Sequence, residues 1–215
     1  MTLRPKELNI LRWVRWGAWG AIGAFAFVFA AVAIGWISTD AFVSRRDVVS
    51  SAQRPSIGGP FQLTSHTGKP VSDKDFRGKP LAIFFGFTFC PDVCPTTMNE
   101  MAELMSQLGA DAERMHWVFV SVDAERDTPA QMAEYVALFD KRIVGLSGTP
   151  SQIADVARSF RVYYRRVVSG DTVTYDHSAS IFLLEPDGSF AGTIDYKESA
   201  AIGLEKLRAL LARAQ

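Results

Sequence analysis

Most of the chain alternates between short continuous apolar runs and segments in which apolar residues recur every three or four positions. Continuous apolar runs of about four to eight residues predict buried strands, whereas the helical recurrence predicts amphipathic helices. The predicted strands are 81–87, 117–122, 143–146, 181–184 and 190–194. The first predicted helix begins after Cys94, and the second runs from Thr128 to Phe139. The third contains Ile153 to Phe160, and the last contains Ile202 to Leu211.

Turn signals within this alternation predict hairpins. They are Thr67-Gly68-Lys69-Pro70, Ser169-Gly170-Asp171 and Pro186-Asp187-Gly188, of which the second separates 162–168 from 172–175. A strand, helix and strand followed by hairpins and a final helix is typical of a mixed α/β domain. We therefore predict a thioredoxin-like fold, in which helices cover both faces of a sheet.

The N-terminal part has a different pattern, because Gly17 to Ile37 contains no charged residue. A helix of these 21 residues would be about 31 Å long, which matches the hydrocarbon core of a bilayer. Tryptophans lie near both ends of the stretch, and the basic residues before it predict a cytoplasmic N-terminus. We therefore predict a cytoplasmic segment over 1–16, a transmembrane helix over 17–37, a linker over 38–59, and a domain over 60–215 on the periplasmic or equivalent external side.

A cleaved signal peptide is the alternative interpretation of this segment. Ala31-Val32-Ala33 places small residues at alternate positions, as a cleavage site requires. The apolar core of a signal peptide is usually about 7–15 residues long, which is shorter than this uncharged stretch. We therefore favour an uncleaved membrane anchor.

Composition and charge narrow the range of partners. The chain has 215 residues, of which 48% are hydrophobic, with 23 basic and 23 acidic side chains. This composition fits one globular domain with an appendage. Because the domain has no polybasic face, we expect no binding to nucleic acid.

Cys90 and Cys94 are the only cysteines, and they follow the predicted strand 81–87 closely. Each precedes a proline, which disfavours helical backbone and predicts a loop. Two thiols at this spacing can bind one soft metal ion or form a disulfide, and both uses depend on the thiolate. A structural disulfide would close a ring of about five residues and contribute only about 2 kcal/mol through the unfolded chain, so we favour a functional pair.

The three histidines are candidates for a further ligand. His66 lies in a polar turn, where we expect it to be exposed. His116 directly precedes the predicted strand 117–122, where we expect an edge or capping role. His177 stands at the entrance to the predicted strand 181–184, late in the sheet.

Two cysteines with one histidine suit copper, above all Cu(I) in a three-coordinate site, whereas zinc normally takes a fourth ligand. Cys90, Cys94 and His177 are therefore the candidate ligands of a copper ion, above all Cu(I), with Cu(II) as the alternative. The adjacent Asp176 is a candidate outer partner or weak oxygen ligand.

Two other groups receive a structural interpretation. Met98, Met101 and Met105 could offer thioethers to Cu(I), but their helical spacing predicts packing in the core. A charged stretch follows the predicted strand 117–122 and comprises Asp123, Glu125, Arg126 and Asp127. We expect it to be the solvated start of a helix, and a surface that docks a partner is the alternative.

Several segments occur in the order found in one known family: Gly59-Pro60-Phe61, Asp75-Phe76-Arg77-Gly78-Lys79-Pro80, Phe85 to Thr96 with Cys90-Pro91-Asp92-Val93-Cys94-Pro95, Ser121-Val122-Asp123, Glu125 to Pro129, and Asp176-His177-Ser178-Ala179. Through them the chain resembles the Sco/SenC family of copper-binding, membrane-anchored cytochrome oxidase assembly proteins. The resemblance implies copper on Cys90, Cys94 and His177. It also implies copper delivery to, or thiol reduction at, the binuclear copper site of oxidase subunit II. The chain departs from the family pattern at two positions. Ala124 stands where the family commonly has proline, and Tyr175 stands where an aliphatic residue is usual.

Three functions are therefore considered. The first is a copper metallochaperone whose partner is oxidase subunit II or a copper donor protein. The second is a membrane-tethered thiol:disulfide oxidoreductase in which Cys90 and Cys94 form the redox pair. Peroxide reduction is suggested only by Thr88 near Cys90, and the spacing does not match the Thr-x-x-Cys of peroxiredoxins.

Overall fold

The computed structural model describes residues 57–170 and 172–214, together with Trp16, Trp19, Phe27 and Ala30. The chain divides into two units, Met1–Arg54 and Pro55–Gln215. In the first unit the four described residues are helical and exposed. The predicted cytoplasmic segment, transmembrane helix and linker up to residue 56 otherwise lie outside the described residues.

Within the described part of the chain, no helix combines the length and apolar character needed to cross a membrane.

The described residues of the second unit form a mixed α/β domain. Its strands are β1 (Gln62–Ser65), β2 (Pro70–Ser72), β3 (Leu81–Gly86), β4 (His116–Ser121), β5 (Ile143–Ser147), β6 (Tyr164–Ser169), β7 (Thr172–His177), β8 (Ile181–Leu184) and β9 (Phe190–Ile194). Its α-helices are α1 (Val93–Leu108), α2 (Pro129–Ala137), α3 (Pro150–Ser159) and α4 (Ala200–Arg213), with short 3-10 helices at Asp73–Phe76 and Gly109–Arg114. The strands, hairpins and helices predicted for the domain are all confirmed, with ends shifted by a few residues.

The main sheet has seven strands in the order β2-β1-β5-β4-β3-β8-β9. Strands β3, β4 and β5 are parallel, and the other neighbours are antiparallel. Strands β6 and β7 form a separate two-stranded antiparallel hairpin. The hairpin predicted around Ser169-Gly170-Asp171 is thus present, but it lies outside the main sheet.

Strand β3 is the centre of the core, and all six of its residues are buried. Residues alternate between the two faces of the sheet. Gly86 faces α1, where Cys94 is its near neighbour, whereas Phe85 on the other face contacts Phe160 at the end of α3. The prediction of helices on both faces is therefore confirmed.

The strand order gathers three connections at one edge of the sheet. Gly86 lies opposite Ser121 in the parallel pair β3 and β4, so both strands end there. Ile181 lies opposite Phe84 in the antiparallel pair, so β8 begins at the same edge. The connections after β3, after β4 and before β8 therefore meet at the carboxyl ends of parallel strands, where open α/β sheets commonly bind ligands.

Candidate metal centre

Three side chains from two distant parts of the sequence converge at this edge. The Sγ atoms of Cys90 and Cys94 and a ring nitrogen of His177 all lie within 4.8 Å of one another. The distance from Cys94 Sγ to His177 Nε2 is 3.2 Å across a separation of 83 positions. The structure therefore brings together the three ligands predicted from the sequence.

The two cysteines differ in local structure. Cys90 is half-buried in the loop after β3, whereas Cys94 is buried and is the second residue of α1. Our prediction of an extended loop through Cys94 was therefore wrong. Proline is tolerated in the first turn of a helix, because the missing N–H of Pro95 would have no partner there. The helix begins early enough for the backbone N–H of Cys94 to donate to Cys90 Sγ at 3.4 Å.

Gly86 provides the space that the Cys94 thiol occupies. A Cβ atom at this position would lie 2.7 Å from Cys94 Sγ and 3.0 Å from the ring of Phe119. Such contacts are too short for any residue larger than glycine without a shift of the sulfur. Gly86 was not predicted to be part of the site. A glycine inside a strand is a signal of close approach and could have identified it.

His177 is the last residue of β7, so it belongs to the hairpin and not, as predicted, to the entrance of strand 181–184. Its Nδ1 lies 2.8 Å from the carbonyl oxygen of Ser178, which can only accept a hydrogen bond. Nδ1 therefore donates this hydrogen bond, and Nε2 is the ring nitrogen that faces Cys94 Sγ. The rings of Phe84 and Phe87 contact the imidazole edge-on, with centroids 6.1 and 5.8 Å away.

Asp176 lies on the opposite face of β7 from His177, because consecutive residues of a strand alternate between its faces. Its exposed carboxylate accepts a hydrogen bond from Arg165 Nη2 at 2.7 Å. The hypothesis that Asp176 is a ligand or an outer partner of His177 was therefore wrong.

The other two histidines lie outside this group. His66 is partly buried, and its Nδ1 accepts a hydrogen bond from the backbone N–H of Gly145 at 3.0 Å. The expected solvent exposure of His66 was therefore wrong. His116 is the first residue of β4, in agreement with its expected position at the end of a strand. Its ring contacts the ring of Phe76 edge-on, with the two centroids 5.4 Å apart.

The three methionines of α1 that could have offered thioethers are part of the core. Met98, Met101 and Met105 are each 0% exposed. This confirms the packing role predicted from their spacing.

The charged stretch after β4 is only partly solvated. Thr128 caps α2, since its Oγ1 accepts a hydrogen bond from the backbone N–H of Gln131. Asp123 and Asp127, however, are 0% and 2% exposed. The prediction of a solvated stretch was therefore wrong for these two carboxylates, because the loop turns both of them into the domain.

Asp127 anchors the loop that carries Cys90. Its carboxylate accepts hydrogen bonds from the backbone N–H of Thr88 at 2.9 Å, from Thr88 Oγ1 at 2.6 Å and from Ser121 Oγ. Burial raises the pKa of Asp127, and these hydrogen bonds act in the opposite direction. Thr88 lies two residues before Cys90, so Asp127 holds the start of the cysteine loop against the end of β4. This role of Asp127 was not predicted, because the segment is charged and its sequence is typical of an exposed helix start.

The thiols of the two cysteines ionise very differently. A hydrogen bond from the Cys94 thiol lowers the pKa of Cys90 to about 4; partial burial opposes this shift, and a hydrogen bond with His177 adds to it. The same hydrogen bond and the burial of Cys94 raise its own pKa far above the ordinary value. The site therefore presents an accessible thiolate beside a buried thiol and an imidazole nitrogen. These soft and borderline donors suit a thiophilic metal ion.

The pH dependence of alkylation tests this difference. In the reduced, metal-free chain, we expect iodoacetamide to modify Cys90 at a nearly constant rate down to about pH 5, because its pKa is about 4. An ordinary thiol with a pKa of about 8.5 loses about tenfold in rate for each pH unit below that value. Fragment ions in tandem mass spectrometry of the modified peptide separate Cys90 from the buried Cys94.

The variant Cys94→Ala is the control for this measurement. It removes the thiol that donates the main hydrogen bond to Cys90, so the midpoint of the Cys90 profile should rise towards that of an ordinary thiol. A wild-type profile with its midpoint near pH 8.5 would contradict the described arrangement of the sulfurs.

Comparisons with known proteins place this chain among related sequences and structures. The family model described as SCO1/SenC matches residues 49–212. Protein SCO1 homolog, mitochondrial, of Homo sapiens is 41% identical over 147 residues, which cover 66% of this chain and 48% of that protein. Protein SenC of Rhodobacter capsulatus is 41% identical over 170 residues, which cover 77% of this chain and 75% of that protein.

A solved structure supports the same relationship. The structure of Bradyrhizobium japonicum ScoI with copper bound has a TM-score of 0.68 and 46% sequence identity, and the match covers 72% of this chain and 99% of that one. The chain spans about half the length of the human relative. Since the family model matches most of the sequence and the fold agrees, the chain belongs to the SCO1/SenC family.

Proposed function

We propose that this chain binds a copper ion through Cys90, Cys94 and His177 and acts as a copper metallochaperone in cytochrome c oxidase assembly. The observation that carries this proposal is the convergence of two sulfurs and one imidazole nitrogen within 4.8 Å. The related B. japonicum protein, described with copper bound, supports the choice of metal. Two thiolates and one imidazole favour Cu(I), and the nitrogen ligand also makes Cu(II) acceptable.

The surroundings of the site suit a protein that releases its metal. Cys94 is buried, but Cys90 and His177 are partly exposed, so an incoming ligand can reach the copper from one side. A three-coordinate ion can accept a fourth ligand before an original one leaves. We infer that the recipient is the binuclear copper site of oxidase subunit II, and that a copper donor protein loads this site.

We also propose that residues 17–37 anchor the chain in a membrane as a single pass. The support is the uncharged stretch itself, with tryptophans near its ends and basic residues before it. The N-terminus is then cytoplasmic, and the copper-binding domain lies on the periplasmic or equivalent external side.

A thiol:disulfide oxidoreductase is the second candidate, favoured by the unequal pKa values of the two thiols. The Cys90 thiolate would attack a disulfide of the partner and form a mixed disulfide. Cys94 would then displace the partner's sulfur and close the Cys90–Cys94 disulfide. Two thiols of this chain are oxidised, and the two thiols of the partner are formed with the same two electrons and two protons.

Mixing the chain with the copper-free soluble domain of an oxidase subunit II separates the two candidates. When the copper-loaded chain meets the reduced domain, we expect copper to move to that domain without a change in its thiol count. The readouts are copper analysis and thiol titration after chromatographic separation. Copper that stays on the chain, while the copper-free chain reduces an oxidised subunit II domain, would favour the oxidoreductase and contradict the metallochaperone.

A further inference from the structure

The guanidinium of Arg126 lies between the two segments that carry the proposed ligands. Its Nη1 donates a hydrogen bond to the carbonyl oxygen of Val173 in β7 at 3.1 Å. Its Cζ lies 4.7 Å from the centroid of the Phe89 ring, in the geometry of a cation–π contact. Phe89 directly precedes Cys90, and β7 ends at His177. One side chain thus contacts both the cysteine loop and the histidine hairpin.

Asp123 holds the guanidinium in this place. The carboxylate of Asp123 pairs with Arg126 Nε and accepts the backbone N–H of Arg126 at 3.3 Å. The Asp123 side chain is 1% exposed and that of Arg126 is 31% exposed. Removing two charges from water is costly, so such a pair contributes little to stability compared with apolar residues. A buried carboxylate of this kind can instead hold its partner cation in one arrangement.

The same carboxylate also contacts the hairpin directly. Tyr175 Oη donates a hydrogen bond to Asp123 Oδ1 at 3.4 Å. Val173, Tyr175 and His177 are alternate residues of β7 and therefore share one face of the strand. The Tyr175 ring packs against Phe87, which in turn contacts His177. The ion pair thus binds Val173 and Tyr175 and holds in place the face of β7 that carries the imidazole.

The other charged contacts of the described hairpin residues cannot replace this pair. Arg166 approaches Glu125 at 3.7 Å, but both side chains are largely exposed, and such pairs contribute little. Arg165 pairs with Asp176 within the hairpin and joins it to no other element.

We propose that Arg126 is a positioning residue, which holds the His177 imidazole over the two sulfurs by fixing the β6–β7 hairpin against the cysteine loop. This inference rests on the proposed function, because the arrangement has a purpose only if a metal ion binds there. Positioning partners of metal ligands typically change affinity by about 10–100-fold when removed. We expect a loss in this range from Arg126→Gln.

The first test needs no copper. The rings of Phe84 and Phe87 shift the NMR signals of the His177 ring protons through ring currents in the metal-free chain. We expect these signals to move towards unstructured values in Arg126→Gln and to stay in place in Arg165→Gln, the matched control on the same hairpin. Unchanged His177 signals in Arg126→Gln would overturn the proposal, whether or not the chain binds copper.

The second test measures Cu(I) affinity of the full chain by competition with a chromophoric chelator. We expect Arg126→Gln to weaken binding by about 10–100-fold in the wild-type background and to have no further effect in the His177→Ala background. A role confined to general stability would weaken binding equally in both backgrounds, and that result would overturn the proposal. Equal affinity of Arg126→Gln and wild type would also overturn it. If the wild type itself bound no copper, the proposed function would fail, while the NMR result would still decide the role of Arg126.

A second variant protects the test against misfolding. Arg126→Gln leaves the buried carboxylate of Asp123 without its cation, which can prevent folding. The double variant Asp123→Asn and Arg126→Gln removes both charges, so the chain keeps a neutral buried pair. We expect the same displaced His177 signals and the same loss of affinity from this double variant, and wild-type values in it would contradict the proposal.

Discussion

His177→Ala will reduce the copper that the chain retains in the presence of a competing chelator from about one ion per chain to nearly none. The variant removes the only nitrogen among the three donor atoms and leaves two sulfurs. Substitutions of outer partners of metal ligands cost about 10–100-fold in affinity, so the loss of a ligand should cost at least about 100-fold. Copper analysis after anaerobic loading and gel filtration measures the effect.

Asp176→Ala is the matched control for this prediction. It changes the neighbouring residue of the same strand, but its side chain lies on the opposite face and is bound to Arg165. We expect it to retain copper as the wild type does. Unchanged copper content in His177→Ala would remove the imidazole from the site and leave a dithiol, which the oxidoreductase hypothesis requires. An oxidoreductase should also keep most of its thiol-exchange activity without His177.

Asp127→Ala will lower the free energy of unfolding of the metal-free chain by about 3 kcal/mol. The variant deprives the backbone N–H and hydroxyl of Thr88 and the hydroxyl of Ser121 of their acceptor. Each buried donor left without a partner costs about 1–3 kcal/mol. For a chain of this size, the melting temperature should fall by roughly 6–12 °C. Thermal unfolding followed by circular dichroism provides the measurement.

Asp155→Ala tests whether the effect belongs to the buried position. Asp155 pairs with Arg158 on the surface, where both side chains are more than two thirds exposed. Exposed pairs of this kind are worth less than about 1 kcal/mol, so the melting temperature should change little. If Asp127→Ala and Asp155→Ala had the same melting temperature, Asp127 would not be the anchor of the cysteine loop.

The elements of the fold could be predicted because their signals are local. The apolar run of β3, the helical spacing of the methionines in α1 and the turn residues between β8 and β9 each act over a few positions. The hairpin β6–β7 was predicted for the same reason. Its separation from the main sheet was not, because pairing between strands depends on partners that are distant in the chain.

The site was predicted in its chemistry and only partly in its geometry. The spacing of Cys90 and Cys94 and the resemblance of their segment to a known family indicated the three ligands. The sequence did not show which face of β7 carries His177. The register of the hairpin decided this, and the same alternation of side chains places Asp176 on the opposite face. The burial of Asp123 and Asp127 could not be predicted, since their segment is charged and its sequence is typical of an exposed helix start.

The amino-acid sequence by itself determined the strands and helices of the domain, the family and the soft donor atoms, because each depends on residue type and short-range spacing. Only the tertiary structure decided that the imidazole meets Cys94 Sγ at 3.2 Å, that Gly86 leaves room for that sulfur, and that an arginine after β4 contacts both ligand-bearing segments. These contacts join residues far apart in the chain. They arise from strand order and packing, to which no local pattern of residues corresponds.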